Sequence, residues 1–332
     1  MGMFVNFGGG RLAAVVALAA ATLATSSAWA QNVYVPNSNA NTVSGLDTAT
    51  NTLSGGPIVV GAAPTSVAVR GDQSLAYVAN RNANSVSVID TGTNSVIAII
   101  PVGSTPYEIA LSADGSRAYV ANNGSHTVSV IDTASNTVVA TIPGLAGPTQ
   151  LTISPNGARI YVSNQSNSSV SVIDAASNTV IASVPVGSAP FGIGVTPDGS
   201  RVYVANQVSG SVSVIDTATN TVVATIGGVN IPRGVVFSLD GSRAYVVGSG
   251  AVVVINTATN TVVTTVPLGV NAFGIVASVD GTRLYVTDTG ADAVSVIDTA
   301  TNTVVGTVPV GDGPMIPGIC GNGNALLAAG RT

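Results

Sequence analysis

A single phrase dominates the chain. Val-Ser-Val-Ile-Asp begins at Val86, Val128, Val170, Val212 and Val294, and each copy leads into a Thr/Ser-Asn turn and a valine-rich run. Tyr-Val pairs keep the same phase at Tyr34, Tyr77, Tyr119, Tyr161, Tyr203, Tyr245 and Tyr285, spaced by 43, 42, 42, 42, 42 and 40 residues. An Asp follows thirteen residues after each Tyr, at Asp47, Asp90, Asp132, Asp174, Asp216 and Asp298; the sixth copy departs, with Asn256 eleven residues after Tyr245. Self-similarity at this period restricts a chain to solenoids, propellers or arrays, because each unit must bury its apolar face against its neighbours.

Within a unit the pattern is that of strands. Around Tyr203, residues 191–196 read as a first strand, and Pro197-Asp198-Gly199-Ser200 as a tight turn whose Gly takes positive φ. Residues 201–205 read as a second strand and 206–210 as a polar loop. Residues 212–215 alternate as a third, 216–220 form a turn held by Asp and Asn side chains, and 221–226 form a fourth. Four strands in about forty residues, seven times over, predict an all-β fold: a seven-bladed β-propeller with four-stranded antiparallel blades.

Tyr-Val-Ala-Asn at 77–80, 119–122 and 203–206, Tyr-Val-Ser-Asn at 161–164 and Tyr-Val-Thr-Asp at 285–288 resemble the YVTN β-propeller repeat family. The turns Asp114-Gly115, Asp198-Gly199, Asp240-Gly241 and Asp280-Gly281 fit the same pattern, which covers nearly all of 31–320. The resemblance implies a propeller of the kind found in archaeal surface-layer and bacterial periplasmic proteins. Other seven-bladed propellers are lactonases, lyases or cofactor-bearing dehydrogenases, so fold alone does not carry function.

The ends complete the domain plan. Residues 1–30 hold one basic residue, Arg11, an apolar run from Leu12 to Ala24 and a terminal Ala28-Trp29-Ala30, the pattern of a secretory signal peptide. The single propeller is expected over 31–320. Its N-terminal unit begins at a second strand, and Pro317-Gly318-Ile319-Cys320 resembles a first strand, so the two ends are expected to close one blade. Residues 321–332 are then a tail, either an added strand or the start of a further region. Cys320 reads as a small buried hydrophobe. These features predict a periplasmic, secreted or cell-surface protein, with no membrane span once the leader is removed.

Composition excludes several classes. Beyond residue 30 the chain has nine Arg, no Lys, fourteen Asp and one Glu. A lysine-free acidic chain lacks the clustered cations that grip a phosphate backbone, which argues against nucleic acid as a partner. One cysteine excludes an internal disulfide and CxxCH haem attachment, and a single histidine, His126, weakens zinc or copper binding. No cofactor and no metal are called for. A chain of this size buries roughly 75% of its surface without staples, so the positive mean hydropathy reflects strands rather than membrane.

A residue needed in every blade is explained by what every blade must build. The repeated Asp positions read as turn formers, and the repeated Tyr positions as inter-blade packing with the hydroxyl on a backbone group. Arg117, Arg159, Arg201, Arg243 and Arg283, two residues before Tyr, read as partners of a nearby carboxylate. His126 reads as a solvent-facing loop residue, and Arg70-Gly71-Asp72 as a variant of the Asp-Gly turn. Information lies where the copies disagree. At the entry to the first strand, one position runs Thr65, Tyr107, Thr149, Phe191, Arg233, Phe273 and Pro317. The next runs Ser66, Glu108, Gln150, Gly192, Gly234, Gly274 and Gly318. The first strand lines a propeller's channel, so Tyr107, Glu108, Phe191, Arg233 and Phe273 are expected to ring one mouth. They either line a pocket, with Arg233 for an anion, Glu108 for a hydroxyl or amine and the aromatics for stacking, or plug the channel.

The leading expectation is a non-catalytic monomeric scaffold that binds a small ligand or a protein of the cell envelope. A lactonase- or lyase-like enzyme would need several inward-facing acids or histidines, and only Glu108 qualifies. A passenger segment of a larger surface protein is the third reading.

Overall fold

The computed structural model describes residues 32–319. The leader, Cys320 and the tail expected from the sequence lie outside the described residues. The described chain forms seven antiparallel sheets and no helix. Six are four-stranded and consecutive in sequence, such as the fifth blade, with strands Pro190–Val195, Arg201–Asn206, Ser211–Asp216 and Thr221–Gly227. These bounds match the expected strands to within a residue or so at each end.

The remaining sheet closes the ring as expected. Asn32–Asn37 pairs with Thr42–Asp47 on one side and with Gly318–Ile319 on the other, in the register Val33 to Ile319 and Tyr34 to Gly318. Its outer edge is split between the two-residue strands Thr52–Leu53 and Ile58–Val59, both paired to Thr42–Asp47.

The core sits between the blades. Each of its clusters joins two neighbouring sheets: Tyr203, Val212 and Val214 of the fifth blade meet Val235, Phe237, Val246 and Ile255 of the sixth. Equivalent clusters fill the other six gaps. Both faces of the middle strands are therefore buried, and the serines that alternate with valine in the third strand, such as Ser213, are buried too.

The repeated residues do structural work. The Tyr203 hydroxyl donates to Asn260 Oδ1 at 2.6 Å, and the Tyr77 hydroxyl to Thr133 O at 3.4 Å, each in the next blade. Asp216 Oδ1 accepts the Ala218 and Thr219 N–H groups at 3.0 and 2.9 Å, and Asn220 closes the turn at φ 54°. Arg117 meets Asp132 at 2.5 Å and Arg159 meets Asp174 at 2.5 Å; Arg201 and Arg283 meet Asp216 and Asp298 in the same way. In the sixth blade Asn256 offers no charge, and Arg243 Nη1 donates to Thr299 O at 3.3 Å instead.

The Asn that ends each Tyr-Val-x-Asn has a role the sequence does not announce. Asn206 is fully buried, and its Nδ2 donates to Ser211 Oγ at 3.2 Å and Ser213 Oγ at 2.9 Å, cross-linking the second and third strands. Asn37, Asn80, Asn122 and Asn164 repeat the arrangement. Gly187 lies against this amide so closely that a Cβ would stand 2.6 Å from Asn206 Cγ, which accounts for the glycine after the fourth strand.

Candidate functional site: the axial channel

The first strands of the blades surround the axis. Their approach is close where the second position is Gly: a Cβ on Gly192 would lie 2.3 Å from Arg233 O, and one on Gly318 2.1 Å from Val67 O. On the other side of the axis the same position carries Ser66, Glu108 and Gln150. The channel is thus lopsided, with glycine-tight packing along one arc and polar side chains along the other.

One mouth is filled. Tyr107 of the third blade meets Phe191 of the fifth edge-on at 5.3 Å, and Phe191 meets Phe273 of the seventh edge-on at 5.7 Å. The Arg233 guanidinium lies over the Phe273 ring at 5.1 Å, and its Nη1 donates to Ala272 O at 3.1 Å. Arg233 Nε is buried without a hydrogen-bond partner. Burial lowers the Arg233 pKa, with the nearby Tyr107 acting in the opposite direction. Burial pushes the Tyr107 phenol up to about 12, against the pull of Arg81 and Arg233.

The five expected site residues therefore separate. Tyr107, Phe191, Arg233 and Phe273 come together as a plug, and none of them lines the cavity beneath. Glu108 stands apart from them as part of that cavity's floor. A bulge marks the split: Ala121 pairs with Glu108 and Asn122 with Pro106, so Tyr107 is displaced from the ladder into the plug while Glu108 lies in the cavity.

The cavity has a volume of about 410 Å³ and runs from Glu108 and Gln150 to the turns at the far ends of the first strands, Arg70–Asp72 and Ser112–Gly115. Its walls are about equally polar and apolar, with the aliphatic side chains of Leu151, Ile193 and Ile275 beside Gln150, Thr152 and Ser154. Charge is confined to the second and third blades. Arg70 and Asp72 pair across 3.4 Å, Asp114 is held by Ser112 Oγ at 2.6 Å and Ser116 N at 3.0 Å, and Glu108 lies deepest.

Glu108 Oε2 accepts the Leu151 N–H of the fourth blade at 2.9 Å, and no described residue donates to Oε1. The side chain is half-buried in surface terms, because it borders the cavity, yet protein surrounds it. That enclosure raises its pKa to about 8, against the pull of the Leu151 N–H. The sequence marks Glu108 as the chain's one glutamate, but Gln150 and Ser66 beside it carry no such signal.

His126 takes the place of an asparagine. It has φ 59°, and its Nδ1 accepts the Gly147 N–H at 2.9 Å, as Asn84 Oδ1 accepts the Thr105 N–H at 2.9 Å one blade earlier. Its exposed position agrees with the loop role expected of it. Among the described residues no group of three His, Cys, Asp or Glu side chains is placed to hold a metal ion.

The YNCE-like beta-propeller family model matches residues 54–152 and 145–256, more than half of the chain. The chain belongs to this family. Among curated proteins none matches it. A functionally unknown protein from Desulfotomaculum acetoxidans has a similar fold, with a TM-score of 0.78, 23% identity, and coverage of 87% of this chain and 98% of its own. The Kuenenia stuttgartiensis hydrazine synthase chain gives 0.72 at 23% identity over 78% of this chain and 90% of that one. A putative 6-phosphogluconolactonase from Bacteroides uniformis gives 0.73 at 16% identity over 87% and 99%. This YNCE-like propeller thus shares its ring with proteins of different chemistry, and its site must be argued from its own residues.

Proposed function

We propose that this YNCE-like propeller is a non-catalytic, monomeric binding protein of the cell envelope that takes a small molecule into its axial cavity. The observation that carries the reading is the cavity itself: about 410 Å³, plugged at one mouth, open toward the other, with one carboxyl at its floor. That volume lies toward the small end of the roughly 300–1,000 Å³ typical of ligand sites. Among the described residues its lining holds no histidine, cysteine, tyrosine or lysine. The carboxylates Asp72 and Asp114 are held by Arg70 and by Ser112 and Ser116 at the turns, away from Glu108, which argues against a paired acid and base. One deep carboxyl with no second titratable group beside it among the described residues favours holding a molecule over transforming it. The export-type leader supports the envelope location, and the Tyr-Val-Ala-Asn copies support a YVTN-type repeat within the family.

A thermal-shift screen of the purified chain tests the reading, with cationic, neutral and anionic small molecules, followed by crystal structures of the hits. A ligand at a hundred times its Kd adds about 2.7 kcal/mol of stability, readily seen as a shift. The expected result is a stabilising compound with density in the axial cavity. A panel without hits, or hits seated elsewhere, would sink the proposal.

A further inference from the structure

We infer that the floor of the axial cavity is a recognition site for the ammonium group of a compact organic amine, with Glu108 as its carboxylate. This rests on the cavity being a binding site and goes further by naming the ligand's chemistry.

The first argument compares the seven blades. At the Glu108 position the others carry Ser66, Gln150, Gly192, Gly234, Gly274 and Gly318, so the fold requires no carboxyl there. An enclosed carboxylate with a single N–H donor is costly, since desolvation opposes its charge. The second argument is geometric. Leu151 N–H fixes Oε2 at 2.9 Å, which leaves Oε1 without a donor from the described protein. A carboxylate accepts only, so the complementary ligand group is a donor, and a cationic one gives the stronger bond.

The third argument is the charge around the cavity. Among the described residues the charged groups facing it besides Glu108 are Arg70 and Asp72 of the second blade and Asp114 of the third; the described parts of the other five blades contribute none. Arg70 is already paired with Asp72 at 3.4 Å, so the described residues bring no uncompensated cation to the cavity. Arg233 and Tyr107 belong to the plug and do not line the cavity. The field in the cavity therefore repels anions and attracts cations, while the aliphatic part of its wall, at Leu151, Ile193 and Ile275, suits a compact hydrocarbon body. An ammonium entering this site also restores the ionised form of Glu108, so binding releases a proton near neutral pH and tightens as pH rises toward about 8.

Three ligands of one shape separate the possibilities: cyclohexylamine, cyclohexanol and cyclohexanecarboxylate, titrated calorimetrically into the purified chain. The amine is expected to bind at least about tenfold more tightly than the alcohol, and Glu108→Gln to remove that preference. The carboxylate is expected not to bind. Amine titrations in phosphate and in Tris should differ in heat by the ionisation of the buffer, reporting the released proton. Equal binding of amine and alcohol, unchanged in Glu108→Gln, would overturn the ammonium assignment while leaving the cavity a binding site. Preference for the carboxylate would overturn it as well. No binding by any of the three would also reject it, and the broader screen with its crystal structures then decides separately whether the cavity binds anything. Equal melting temperatures of Glu108→Gln and the parent chain at about pH 4 show that the variant is folded.

Discussion

Enclosure raises the Glu108 carboxyl to about 8 from an ordinary value of 4.5. In the unfolded chain it ionises first, so the unfolded state binds fewer protons between those two values. Stability from this group is therefore intact below the unfolded value and is lost as pH rises toward about 8. Glu108→Gln keeps an acceptor for Leu151 N–H and abolishes the titration. Its melting temperature is expected to equal that of the parent chain at about pH 4 and to exceed it at about pH 8. A variant that tracks the parent at both pH values would show that Glu108 ionises freely in the folded protein. Glu108 was legible as the single glutamate on a channel-lining strand. Its separation from Tyr107 and Arg233 was not, because the bulge that displaces Tyr107 from the ladder has no mark in the sequence.

At the scale of the element, the turn between third and fourth strands repeats one device with opposite pH behaviour. Hydrogen bonds from the backbone and hydroxyl of Thr219 hold the Asp216 carboxyl below its usual range, with Arg201 adding to this, and Asp132, Asp174 and Asp298 behave alike. These groups stabilise the fold above their unfolded pKa values and lose that contribution as pH falls through the folded ones. The sixth blade lacks the charge, since Asn256 stands opposite Arg243 in the register that pairs Arg201 with Asp216. Asn256→Asp is expected to raise stability at neutral pH by up to about 1 kcal/mol, the range of exposed ion pairs, and by nothing at about pH 2. Urea melts at the two pH values check it, and an equal effect at both would mean that charge is not the cause. His126→Asn should leave stability within about 0.5 kcal/mol of the parent or above it, because Asn84 already performs the same bond at φ 50°. The turn-forming Asp and the Arg partners were legible because such bonds are local in sequence. The buried Asn206 amide was not, because its value depends on Ser213 and on the glycine of the connecting loop.

On the scale of the whole molecule, the seam is the telling place. Every other blade is continuous in sequence, whereas the closing blade joins Val33 and Tyr34 to Ile319 and Gly318 from the far end of the described chain. The repeat count made closure foreseeable, since seven units beginning at a second strand leave one first strand to be supplied by the other end. What the sequence could not show is how tight the seam is. Gly318 packs against the next first strand as closely as Gly192 does inside the ring, with a Cβ due to fall 2.1 Å from Val67 O in one case and 2.3 Å from Arg233 O in the other. Both contacts are with backbone, which cannot step aside as a flexible side chain would. Gly318→Ala and Gly192→Ala are each expected to cost about 1–3 kcal/mol, as overpacking does. Gly227→Ala, on an exposed outer strand with nothing within 4 Å of the added methyl, should stay within about 0.5 kcal/mol of the parent. Circular dichroism and tyrosine fluorescence during denaturant unfolding distinguish two kinds of ring. If the seam is as strong as the interior, Gly318→Ala shifts one cooperative transition by about as much as Gly192→Ala, and both probes coincide. If the closing strand is a weak latch, Gly318→Ala alone splits the transition, because a ring opened at one blade lets its neighbours unfold from a free edge.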